Sequence, residues 1–124
     1  MIADWTSHTF SLFDEISRWC SEIGWRTESE LEYRDLPNSK EQMEVYGLRV
    51  ITPAGRIHLE PLGQRSDGSV IIEMYAWPTL LRVRLVEKPG DGQWQVVTDS
   101  GIPFHYDWTK ENFVRLVHDL QVLP

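Results

Sequence analysis

The chain has 124 residues, 41% of them hydrophobic and 25% charged, which fits one globular domain with its own core and excludes global disorder and a two-domain arrangement. Twelve Lys and Arg stand against 19 Asp and Glu, a formal net charge of −7 without any basic stretch, which argues against nucleic acid or an anionic membrane as partner. A single cysteine, Cys20, rules out an intrachain disulfide and a cysteine-based zinc site.

In chain order, Thr6–Ile23 reads as an amphipathic helix. Phe10, Leu12, Phe13, Ile16, Trp19, Cys20 and Ile23 recur at three- and four-residue steps, while Asp14, Glu15, Arg18 and Glu22 mark the solvated side. Asp4, Thr6 or Ser7 supplies an N-cap, and Gly24 suits the left-handed stop. Cys20 falls on the apolar stripe, where a free thiol acts as a small hydrophobe.

From Trp25 the period becomes two. Thr27, Ser29, Leu31 and Tyr33 share one face, and Arg26, Glu28, Glu30, Glu32 and Arg34 the other, as expected for a charged edge strand. Leu36–Glu44, with its Pro-Asn-Ser cluster, reads as a loop. Two strands, Val45–Thr52 and Arg56–Leu62, flank the turn signal Thr52-Pro53-Ala54-Gly55, and Gln64–Gly68 makes the next turn. Ser69–Trp77 reads as a central strand broken by Pro78. Leu80–Glu87 and Gln93–Thr98 pair across the Lys88–Gly92 turn, and Asp99–Tyr106 is a candidate for a short final strand. A last helix spans Trp108–Val122, capped by Asp107 or Thr109, with Phe113, Leu116, Val117 and Leu120 as its stripe.

No helical pattern interrupts the strands and every link is short, so the neighbours must be antiparallel. The expectation is a single α+β domain over residues 1–124: a sheet of five or six meander strands with both terminal helices packed on one face. No apolar run approaches the ~18 residues of a membrane span. The N-terminus lacks the pattern of a signal peptide, so the cytoplasm is the expected location.

The alternation also says what the uncovered face carries. Leu48, Val50, Ile57, Leu59, Val70, Ile72, Met74, Leu81, Val83, Leu85, Trp94 and Val96 point to the core. Arg49, Arg56, His58, Glu60, Glu73, Tyr75, Trp77, Arg82, Arg84, Gln93 and Gln95 point away from it. Mixed charge on such a face is most simply cross-strand pairing. Trp, Tyr and Arg also dominate binding hot spots, which makes Tyr75, Trp77, Arg82, Arg84, Arg49 and His58 the candidate binding residues.

Chemical motifs are sparse: no phosphate loop, dinucleotide fingerprint or nucleophile elbow occurs, and no cofactor is expected. Two His-x-acid pairs, His58/Glu60 and His105/Asp107, would present imidazole and carboxylate on one face of a strand, and together could hold a metal or run a hydrolysis if their strands were neighbours. Ordinary polar surface explains so short a motif better, so neither a metal site nor a catalytic residue is assigned. His118-Asp119 on the last helix diverge by about 100° and do not form a dyad.

The favoured expectation is a non-catalytic, acidic protein-binding module that docks through its open sheet face or edge, onto a protein partner or, as a homodimer, onto its own copy. In architecture alone, the helix–sheet–helix order resembles that of secretion chaperones, and the acidity that of toxin-neutralising immunity proteins. No shared motif carries either likeness. The alternatives are an apolar-ligand carrier with a pocket lined by Trp19, Trp25, Trp94 and Phe113, and an enzyme using His58, Glu60, His105 and Asp107.

Overall fold

In the computed structural model, which describes residues 5–35, 40–89, 92–98 and 107–122, a helix leads into six strands and a second helix closes the chain. The elements are α1 (Thr6–Ile23), β1 (Arg26–Asp35), β2 (Gln42–Thr52), β3 (Gly55–Gln64), β4 (Val70–Trp77), β5 (Arg82–Glu87), β6 (Trp94–Val97) and α2 (Lys110–Gln121). The strands form one antiparallel sheet in sequence order, β1-β2-β3-β4-β5-β6. Among the described residues, no helix is long and apolar enough to cross a membrane.

The helices and the core strand face bury one another in a single cluster. From α1 come Leu12, Phe13, Ile16 and Cys20, and from α2 come Phe113, Leu116, Val117 and Leu120. The sheet contributes Leu48, Val50, Ile57, Leu59, Val70, Ile72, Met74, Ala76, Val83, Leu85, Trp94 and Val96. Trp19, Trp108 and Phe113 meet ring to ring where the two helices approach, with centroids 5.7 to 5.8 Å apart. Around that seam Trp108 Nε1 donates to Glu15 at 3.1 Å, and Lys110 pairs with Glu22 at 2.5 Å. The far end of α2 is tied to two turns: Thr79 Oγ1 donates to the Leu120 carbonyl at 2.5 Å and Gln121 Nε2 to Thr52 Oγ1 at 2.8 Å.

Several boundaries differ from the sequence reading. The expected loop 36–44 is shorter, because β1 runs to Asp35 and β2 begins at Gln42; pairing in unbroken register from Arg26↔Ile51 to Asp35↔Gln42 carries even polar residues into the ladder. Trp5, not Asp4, Thr6 or Ser7, occupies the N-cap position of α1 and makes no side-chain cap bond. At α2 the cap is Thr109, whose hydroxyl accepts from Asn112 N at 3.2 Å. Phe10 and Ile23, read as part of the α1 stripe, and Leu81, read as core-facing, are exposed. The proposed strand at 99–106 and His105 lie outside the described residues.

Pro61 sits inside β3, a central strand, where a residue without an N–H would interrupt the ladder. The sheet accommodates it with a bulge: Pro61 pairs with Ile72, Gly63 with Ile71, and Leu62 is the extra residue between them.

Candidate functional site

The side of the sheet away from the helices is a grid set by register. One row runs Glu28–Arg49–His58–Tyr75–Arg82 and the next pairs Glu60 with Glu73 and Glu73 with Arg84. At the edge of the face, Arg26 pairs with Ile51, Ile51 with Arg56, and Arg56 with Trp77. The six candidate residues Tyr75, Trp77, Arg82, Arg84, Arg49 and His58 therefore do share one face.

Most of that face satisfies itself. The Arg49 guanidinium spans the strand pair, bonding Glu30 through Nε and Nη2 and Glu28 through Nη1 at 3.3 Å, and Glu30 in turn lies 3.8 Å from His58 Nδ1. His58 stacks on Tyr75 with ring centroids 4.9 Å apart and planes at 10°. Glu60 and Glu73 stand directly opposite, which would repel. Each is relieved by a different partner: the Tyr75 hydroxyl donates to Glu60 at 2.9 Å, and Arg82 pairs with Glu73 at 3.2 Å. Burial first, and then the bond to Glu60, push the Tyr75 phenol up to about 12. Arg84 differs, since its buried Nε has no hydrogen-bond partner among the described residues. A second apolar cluster, Ile71, Val86 and Val97, lies on this same face.

One corner is not self-satisfied. Trp77, Leu80 and Leu81 are 47%, 50% and 37% exposed around the turn from β4 to β5. Leu80 holds φ 64°, a left-handed conformation that costs a branched residue about 1–2 kcal/mol. The turn is pinned by Leu80 N to Ala76 O and Ala76 N to Leu81 O, both 2.9 Å. Arg56 lies over the Trp77 ring at 5.8 Å, and it makes no ion pair among the described residues. Of the six tryptophans, Trp94 is buried and Trp5, Trp19, Trp25 and Trp108 are partly buried against the core, leaving Trp77 as the exposed one.

A cleft of about 1030 Å³ opens on the helix side, between the first half of α1, the β5–β6 end of the sheet and the entry to α2. Its walls include His8, Glu15, Glu87, Trp94, Asp107 and Trp108. Glu87 is only 6% exposed, and His8 Nδ1 lies 2.6 Å from its Oε1. The sequence reading did not single out this pair. The signal was present: Glu87 continues the Val83, Leu85 series of core-facing positions and is the one acid in it. His8, by contrast, reads as an unremarkable polar residue near a helix start.

The remaining candidates disperse. His58 and Glu60 are on the open face of β3, whereas Asp107 lines the cleft. Among the described residues, no group of three His, Cys, Asp or Glu could hold a metal ion. Of the residues expected to line an apolar pocket, Phe113 is fully buried, and Trp94 borders the cleft without Trp19 or Trp25. Compared with known proteins, the chain matches no family model, no curated protein and no solved structure.

Proposed function

We propose that this domain is a non-catalytic protein-binding module that docks through the corner formed by Trp77, Leu80 and Leu81. The observation that carries this reading is the exposure of three large apolar side chains at a turn in which Leu80 holds a left-handed conformation. Exposed singly, such residues need no explanation; adjacent ones on a pinned turn form an anchor with little ordering entropy left to lose. Arg56 flanks the anchor, so the complementary partner surface is aliphatic with an acidic rim. The rest of the open face, most of it internally paired, supplies the surrounding area rather than the binding energy.

A photo-crosslinking residue at position 81, expressed in the native host, tests this against the same residue at the exposed position 18 on α1. The expected result is a discrete protein adduct from position 81, absent from position 18 and lost on Trp77→Ala. An adduct of twice the chain mass makes the partner a second copy. Equal adducts from both positions, or none from position 81, refute the reading.

A further inference from the structure

We propose that the cleft between α1, the β5–β6 end of the sheet and the start of α2 is a binding site for a small organic cation that carries N–H donors on an aliphatic stem, an alkylguanidine or alkylamine. This site is separate from the apolar corner and does not rest on the docking reading.

The first argument is charge. Glu15, Glu87 and Asp107 line the cleft and Lys88 is the only Lys or Arg among its described walls, so the ionised groups favour a cation. The second is the state of those groups. Glu87 is held at a position surrounded by core-facing neighbours, Val70 on one side and Trp94 on the other, where a carboxylate is costly to bury. Its partner His8 is itself half exposed in the cleft. His8 Nδ1 is committed to Glu87, so the imidazole is held in place with Nε2 as its remaining polar atom. Glu15 is likewise fixed, by the N–H of Trp108 at 3.1 Å on one oxygen, which leaves its other oxygen as an acceptor. Asp107 is exposed at the mouth. The third is shape. Leu12, Trp94 and Trp108 give the cleft apolar wall beside these acceptors, as an aliphatic stem ending in a donor head would require. Pre-oriented acceptors next to aromatic surface suit a planar guanidinium or an ammonium better than a neutral molecule.

Titration of the intact protein with agmatine, followed by indole fluorescence and calorimetry, tests the proposal. Saturable binding at millimolar concentration or below is expected. The neutral analogue n-pentylurea should bind at least about tenfold more weakly. The double variant Glu15→Gln, Asp107→Asn should lose about tenfold in agmatine affinity, with an unchanged melt, because Gln still accepts from Trp108. An arginine-containing pentapeptide forms a second arm: tighter binding of the peptide assigns the cation to a protein side chain, and tighter binding of agmatine to a free metabolite. Absence of saturable agmatine binding, equal affinity for the urea, or an unaltered affinity in a folded double variant would overturn it.

Discussion

Two glycines with nearly the same φ offer a controlled measurement of how tightly the docking corner is built. Gly55 has φ 148° and Gly63 has φ 147°, a region in which a side chain is strained wherever it occurs. A Cβ at Gly63 would meet nothing within 4 Å, whereas one at Gly55 would lie 2.4 Å from the Trp77 carbonyl oxygen and 3.5 Å from Pro78 Cδ. In both Gly→Ala variants the strain costs roughly 1–3 kcal/mol, offset by about 0.4–1 kcal/mol from the less flexible unfolded chain. Gly63→Ala should therefore cost about 1–2 kcal/mol. Gly55→Ala adds the overpacking of one strand end against another, about 1–3 kcal/mol, for roughly 2–5 kcal/mol in total. That is a large share of the ~5–15 kcal/mol expected of such a domain. Urea unfolding monitored by tryptophan emission, analysed at a common slope, gives both values. The geometry is refuted if Gly55→Ala proves no worse than Gly63→Ala. If the contact with Trp77 is as described, Gly55→Ala should also weaken the crosslink from position 81 while Gly63→Ala leaves it intact.

Further outcomes follow from the titratable groups. An ultraviolet phenolate titration should show a tyrosine held up to about 12 by burial and by its bond to Glu60, a component absent from Tyr75→Phe. Because the folded state keeps this proton longer than the unfolded chain, stability is full below the ordinary phenol value of 10 and declines as pH rises through about 12. A wild-type stability flat across that interval, or equal to that of Tyr75→Phe, contradicts the assignment. Cys20 is completely buried and its thiol is pushed up to about 11 by burial, so labelling with an aromatic disulfide should follow global unfolding. Rapid labelling without denaturant would place the thiol elsewhere.

The element order, the meander and the two amphipathic helices were legible because periodicity reports burial, and here burial and strand alternation agree over most of β2 to β6. Legibility failed where a residue's role depends on a distant partner. Val70-Ile71-Ile72 carries no alternation, so nothing in it reveals that Ile71 joins Val86 and Val97 on the far face. Met43, inside what reads as a polar loop, and Val45, the first residue of the expected strand, are buried on the face opposite Leu48. The binding candidates were found together on one face, yet only Trp77 and Arg82 border the exposed corner; Arg49, His58 and Tyr75 are tied into pairs whose partners Glu28, Glu30 and Glu60 only register could supply. The cleft was hidden for the same reason, since its key pair joins the first turn of one helix to the last residue of a distant strand.

The seam between α1 and α2 has a consequence for synthesis. Every strand neighbours the one made just before it, so the sheet can zip as it emerges from the ribosome. Its coat is completed by residues 110–121, translated after all six strands. Until they arrive, the surface that will receive Phe113, Leu116, Val117 and Leu120 stays uncovered, with Trp19 awaiting Phe113 and Trp108. A nascent chain stalled before that point would carry a bare apolar sheet, the kind of surface that chaperones capture.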